Sequence, residues 1–133
     1  MNRPPEPNRE IRGWVEKAEH DWRAAVHSME LAAEGLTDIV CYHCQQCAEK
    51  YLKALLIAAG HEFPKTHDLR LLLDKVEEEY DLGIGREQVI PLNRYLVEGR
   101  YPGDWELITV AEAEQAIEMA GGVRTVARAL LHL

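Results

Sequence analysis

Long apolar runs are missing from this sequence, and so is an apolar stretch behind its first residues. A membrane span needs ~18 consecutive apolar residues, and a signal peptide needs an apolar segment near its start. The sequence therefore predicts no membrane partner and a protein that stays in the cytoplasm. Cysteine is also scarce. Cys41, Cys44 and Cys47 are an odd number, and a reducing compartment does not favour a disulfide framework.

Positive charge is in short supply. The 133 residues include 15 Lys and Arg against 23 Asp and Glu, which gives a net charge of −8. Broad binding to DNA requires a basic surface, so this composition weighs against it. Two stretches, residues 49–70 and 88–103, each carry a net charge of +1. If they meet in space, they form a small anion-attracting cleft on an acidic body.

Several motifs of catalysis and cofactor binding are absent. The sequence has no glycine-rich phosphate loop, no G-x-S-x-G and no H-E-x-x-H. We therefore predict no cofactor, and any ligand must be bound by a less common arrangement of residues.

Strand-like alternation is missing too, whereas apolar residues three or four apart recur along the chain. This periodicity predicts an all-α, antiparallel up-and-down bundle of four main helices plus a short fifth helical piece. Proline-rich residues 1–9 are predicted to be a disordered arm, and residues 10–133 a single domain. The predicted helical pieces run from about Glu10 to Glu34, from Thr37 or Asp38 to about Ala59, from about His67 to Tyr80, from 86 to about 101, and from Thr109 onwards.

Local signals set the predicted boundaries. Thr66 suits the N-cap of the third helix. Pro91 is tolerated in the first turn of the fourth piece and kinks it if it lies further in. The sequence TVAE that begins at Thr109 is a capping box for the last helix. The pair Gly121-Gly122 predicts a loosening or a kink in that helix.

All three cysteines lie on the second helix in a C-x-x-C-x-x-C run. Three such cysteines are typical of iron–sulfur ligand runs, but those runs wrap a loop so that the sulfurs converge. On a helix the thiols fan across roughly 120°, and the sequence has no fourth cysteine. We therefore predict that they pack in the core as small apolar side chains and that no metal site exists.

A polar strip borders the apolar face of the same helix. His43 and Lys50 lie within roughly 20° of each other, two turns apart, and Gln46 and Lys53 continue the strip. Two interpretations stay open. The pair of His43 and Lys50 holds a phosphate or moves a proton, or His43 is a core-edge histidine satisfied by a neighbouring helix.

Two further places carry groups suited to chemistry. His67 and Asp68 open the third helix, where they serve either as capping residues or as a ligand or acid–base pair. Arg94 and Arg100 lie close in sequence to aromatic residues, which suits contact with phosphates and bases, or they pair with acidic neighbours. The aromatic neighbours are Tyr95, Tyr101 and Trp105.

Three motifs, in order along the chain, give a resemblance to a known family. They are CYHCQQCAEKYLKALL from Cys41, FPKTHDL from Phe63 and RYP from Arg100. They resemble the motifs of the prokaryotic HEPN domain, of the type associated with minimal nucleotidyltransferases, and the likeness spans nearly the whole chain. The resemblance implies a helical bundle that often forms a homodimer. It also implies a minimal nucleotidyltransferase partner in a toxin–antitoxin-type pair and, in many members, metal-independent ribonuclease activity.

The ribonuclease motif of that family is Arg-x(4–6)-His, in which the arginine contacts phosphate and the histidine transfers protons. No arginine of this sequence is followed by a histidine at those offsets. By the resemblance, Arg100 carries over as a phosphate contact, while the catalytic residues stay unknown. The candidates are Arg100, His43 and His67.

We therefore expect a nucleotide- or RNA-phosphate-binding module that forms a homodimer and works with a minimal nucleotidyltransferase. The predicted cleft is lined by His43, Gln46, Lys50, His67, Arg94 and Arg100. A divergent metal-independent ribonuclease, which joins Arg100 to His43 or His67, is the first alternative. A purely structural interaction module is the second.

Overall fold

The computed structural model describes residues 7–96 and 107–133, and in these ranges the chain forms helices and no strand. The α-helices are α1 (Pro7–Met29), α2 (Thr37–Ala58), α3 (Leu69–Glu77) and α4 (Val110–Leu130). Short 3₁₀ helices cover Ala32–Glu34, Arg86–Gln88 and Ile90–Tyr95. The predicted all-α helical bundle is confirmed. No described helix is both long and apolar enough to cross a membrane.

α2 is the central helix of the bundle. It packs against α1, α3, α4 and the 3₁₀ helix Ile90–Tyr95, and 14 of its 22 residues are buried. It runs antiparallel to α1, since Asp21 meets Lys50 and Glu19 meets Tyr51. α4 runs parallel to α2, because Thr37 bonds Ile108 at one end and Tyr51 bonds Arg128 towards the other. α1 and α2 thus form the antiparallel pair of a helical bundle.

The cysteine run is part of the core, as predicted. Cys41, Cys44 and Cys47 are free thiols with no exposed surface. Burial raises the pKa of Cys41 to about 11 and raises the pKa values of Cys44 and Cys47 as well. All three therefore stay protonated near neutral pH and pack as small apolar side chains.

The first two helices differ from prediction at their ends. α1 begins at Pro7 and ends at Met29, before the predicted Glu34, because the chain turns through the 3₁₀ helix and Gly35, whose φ is 98°. Thr37 is not a side-chain N-cap of α2. Its hydroxyl instead donates to the carbonyl of Ile108 at 2.9 Å, which ties α2 to the approach to α4.

α3 is shorter than predicted. The N-cap is Asp68, which accepts from the backbone N–H of Arg70 at 2.9 Å, while Thr66 accepts from the N–H of Asp68 at 3.0 Å. The prediction that Thr66 caps the helix and that His67 lies in its first turn is therefore wrong. His67 precedes the helix on the connecting loop, so its side chain is placed by long-range contacts.

The fourth predicted piece begins as two 3₁₀ helices, with Pro91 in the first turn of the second one. The RYP motif and Arg100 lie outside the described residues. Thr109 caps α4 as predicted, accepting from the N–H of Glu112 at 3.1 Å. α4 is continuous through Gly121 and Gly122. The missing side chain of Gly121 lets Trp22 of α1 approach α4, since a Cβ at Gly121 would lie 3.2 Å from the ring of Trp22.

Candidate functional site

A nearly buried carboxylate on α1 holds two of the predicted site residues. Asp21 is 7% exposed. Its Oδ1 lies 2.7 Å from Nδ1 of His43, and its Oδ2 accepts a hydrogen bond from Nζ of Lys50 at 2.5 Å. The side chains of His43 and Lys50 are 28% and 22% exposed. These two polar groups of α2 thus converge on one carboxylate at the edge of the core.

Asp21 was not among the predicted site residues, although a sequence signal for it exists. It lies three residues after Ala18 and four before Ala25, and both alanines are fully buried. An aspartate on the buried face of an amphipathic helix requires a partner, because an unpaired buried charge is strongly unfavourable. His43 and Lys50 on the next helix are such partners.

A second carboxylate holds the third predicted residue. Glu49 is 2% exposed, and its two carboxylate oxygens lie 3.0 and 3.1 Å from Nδ1 of His67. It also accepts from Nζ of Lys53 at 3.0 Å and from Nε2 of Gln45 at 3.2 Å. The side chain of His67 is half exposed. Glu49 therefore fixes the orientation of an accessible imidazole.

Glu49 belongs to a row of buried polar residues spaced four apart on α2, with Gln45 before it and Lys53 after it. The ammonium of Lys53 lies 5.5 Å from the ring centre of Trp14 and 5.2 Å from that of Phe63. Lys53 was predicted to continue the strip of His43, Gln46 and Lys50, but it pairs with Glu49 in this buried row. Sequence reasoning missed Gln45 and Glu49.

Gln46 joins the Glu49 cluster through Gln45. Its Nε2 donates to Oε1 of Gln45 at 2.6 Å, and Gln45 donates in turn to Glu49 and to the backbone carbonyl of His67. His43, Gln46 and Lys50 lie three and four residues apart on α2, and His67 contacts Glu49, which is next to Lys50 in the sequence. We call the set of His43, Gln46, Lys50 and His67 the α2 polar edge.

Arg94 lies in a different setting, next to α4. Its Nη1 is 3.1 Å from Oε1 of Glu112, and the hydroxyl of Tyr95 donates to Oε2 of the same carboxylate at 2.7 Å. Together they line a cleft of about 250 Å³ that includes none of the α2 polar edge residues. Of the predicted cleft, Arg100 lies outside the described residues.

Asn93 places the Arg94 segment against the start of α3. Its Nδ2 donates to Oδ1 of Asp68 at 2.8 Å, and its Oδ1 accepts from the N–H of Leu69 at 2.9 Å. Asp68 is therefore a capping residue, while its neighbour His67 is the one held by a buried carboxylate.

The two anchored histidines can perform similar chemistry. A carboxylate that accepts a hydrogen bond from Nδ1–H fixes the tautomer of a neutral imidazole, so that Nε2 is the acceptor. A protonated imidazole instead donates from both nitrogens. Each ring can therefore bind an anionic oxygen when protonated or accept a proton from a hydroxyl when neutral. Among the described residues, no group of three or more side chains is arranged to hold a metal ion.

Comparison with known proteins finds one matching family model and a similar solved structure. The family model described as HEPN domain matches residues 11–130. A crystal structure of TT1696 from Thermus thermophilus is similar, with a TM-score of 0.72 and 28% sequence identity. The alignment covers 90% of this chain and 96% of TT1696. No curated protein matches the sequence.

Proposed function

The chain belongs to the HEPN domain family, and on that premise we propose that it binds a phosphate group of a nucleotide or of RNA at the α2 polar edge. One observation carries the proposal. Two partly exposed imidazoles, those of His43 and His67, are each held at Nδ1 by a nearly buried carboxylate. A lysine ammonium stands beside the first. These are groups that bind phosphate oxygens through charge-assisted hydrogen bonds.

The carboxylates support binding by holding the phosphate-binding groups in place. A flexible lysine loses rotamer freedom when it binds a ligand. Lys50 is already held by Asp21 in the free protein, so less freedom remains to be lost. Most of the entropy loss from ordering this side chain therefore occurs on folding, and less of it occurs on binding.

Titration of a short single-stranded RNA into the protein, followed by NMR, tests the proposal. Lys50→Gln should weaken binding about tenfold, or ~1.4 kcal/mol, because it removes one charge-assisted hydrogen bond. Lys75→Gln is the matched control, since it removes the same charge from an exposed position on α3, and it should change the affinity less than twofold. Equal effects of the two variants would contradict the proposed site, and no binding of RNA or nucleotide at millimolar concentration would refute the function.

The geometry of His67 favours a second candidate, a metal-independent ribonuclease. With Nδ1–H donated to Glu49, Nε2 can accept the proton of an RNA 2′-hydroxyl as that oxygen attacks phosphorus. The 5′-oxygen then leaves with a proton from solvent, and the product ends in a 2′,3′-cyclic phosphate. Glu49 acts as a positioning residue in this scheme.

Cleavage of single-stranded RNA in the presence of a chelator tests this candidate. His67→Ala should abolish the cyclic-phosphate product. His61→Ala, which removes an exposed histidine that pairs with Glu79, should leave it unchanged. No cleavage by the purified protein at high concentration would refute the ribonuclease candidate and leave the binding proposal standing.

The proposal extends to a homodimer that works with a minimal nucleotidyltransferase in a toxin–antitoxin-type pair. Membership of the HEPN family supports this part, as the site geometry does not address it. Sedimentation of the purified chain should give a dimer. Production of the chain alone should slow cell growth, and co-production of a nucleotidyltransferase from the same source should restore it. A monomer, or growth unaffected in both cases, would contradict this extension.

A further inference from the structure

The positive charge of Lys50 is already balanced in the folded protein. Both it and His43 contact the same carboxylate, and that carboxylate is nearly buried. With a neutral imidazole, the cluster of Asp21, His43 and Lys50 carries no net charge. With a protonated imidazole it carries a single positive charge.

The neighbouring acidic residue of α1, Glu19, is paired with two arginines of α4. Glu19 accepts two hydrogen bonds of 2.7 Å from Arg124, and Arg128 lies 3.6 Å from the same carboxylate. On α2 the ring of Tyr42 lies against His43 with a centroid distance of 5.2 Å. Among the described residues, Asp21 is the carboxylate that contacts both His43 and Lys50.

We infer that Asp21 is a specificity-determining residue, which makes the His43 and Lys50 part of the α2 polar edge favour phosphate groups that carry one negative charge. The inference rests on the proposed phosphate site. A phosphodiester is matched by the single charge of the protonated cluster. A terminal phosphate near neutral pH carries close to two negative charges, and the second is left unbalanced beside the carboxylate of Asp21.

Proton uptake follows from the same charge balance. The cluster is positive only when His43 is protonated, so binding a singly charged phosphate draws a proton onto that imidazole. Affinity for a ligand that does not itself titrate should therefore fall with rising pH, because that proton becomes harder to supply. The limiting slope is tenfold per pH unit for one proton.

Two matched ligands test the inference, uridine 5′-monophosphate and its methyl ester. They share base and sugar, but the ester keeps one negative charge at every pH. At pH 7.5 the ester should bind at least fivefold more tightly. At pH 5 the monophosphate is also singly charged, since its second pKa is about 6, and the two affinities should become equal. Asp21→Asn should tighten binding of the monophosphate at pH 7.5 about tenfold and that of the ester much less.

If Asp21→Asn does not fold, the comparison of the two ligands on the wild-type protein still tests the inference. Calorimetric titration of the ester in two buffers of different ionisation enthalpy should report uptake of up to one proton, and His43→Asn should abolish that uptake. Equal or tighter binding of the monophosphate at pH 7.5 would overturn the inference while leaving phosphate binding intact. Failure of both ligands and of RNA to bind at any pH would instead refute the proposed function.

Discussion

Glu19 joins three helices through one carboxylate. Arg124 of α4 donates two hydrogen bonds to it at 2.7 Å, and Tyr51 of α2 donates one at 2.6 Å. The hydrogen bond from Arg124 is the largest of the effects that together lower the pKa of Glu19 from 4.5 to about 2. The ionised form of Glu19 is thus far more favourable in the folded protein than in the unfolded chain.

This pKa sets the sign of a pH effect on stability. Because the pKa is lower in the folded state, Glu19 contributes stability above pH 4.5 that is lost as the pH falls towards about 2. Its size is about 3.5 kcal/mol, at ~1.4 kcal/mol per pKa unit. Glu19→Gln should lower the free energy of unfolding by this order at pH 7 and flatten its decline in acid. Urea unfolding between pH 7 and pH 2 measures both.

Glu16→Gln is the control for Glu19→Gln, since Glu16 is an exposed residue of the same helix. It should leave the free energy of unfolding within about 0.5 kcal/mol of the original. An acid profile of Glu19→Gln that matches that of the unaltered protein would contradict the assignment of this pKa.

Single residues also show where sequence reasoning stops. Helical periodicity located His43, Gln46 and Lys50 at the edge of the core, but it did not identify Asp21 or Glu49. The burial of a carboxylate depends on partners from other helices or loops, and the pattern along one helix carries no information about them. Arg94, for the same reason, could not be assigned in advance to Glu112 of α4.

At the scale of elements, the long helices were predictable because each has a continuous apolar face. The residues at which the helices begin and end were harder to predict. α3 begins at Leu69, where Asn93 contacts both the helix N–H and the capping Asp68. A residue 24 positions away thus helps to define this helix start. The local capping rule preferred Thr66, which instead accepts from the N–H of Asp68.

The two adjacent glycines of α4 should respond differently to alanine. Alanine in a helix interior is favoured over glycine by about 1 kcal/mol, and a Cβ at Gly122 meets nothing within 4 Å. Gly122→Ala should therefore stabilise the protein by about that amount. A Cβ at Gly121 would lie 3.2 Å from the ring of Trp22. Gly121→Ala should therefore stabilise the protein by at least ~0.5 kcal/mol less than Gly122→Ala does. Thermal unfolding of both variants measures the difference, and equal gains would contradict a close approach of α1.

For the whole molecule, the position of α2 predicts cooperative unfolding. α2 packs against α1, α3 and α4, so each of these helices loses buried contacts when α2 unfolds. Scanning calorimetry should give one transition whose calorimetric and van't Hoff enthalpies agree. Glu19→Gln perturbs the contacts with α1 and α4, and Glu49→Ala leaves Lys53 buried without its carboxylate, at a cost of about 3 kcal/mol. Both variants should lower the midpoint temperature of that one transition. A second transition that only one of the variants shifts would show that the two sides of α2 unfold independently.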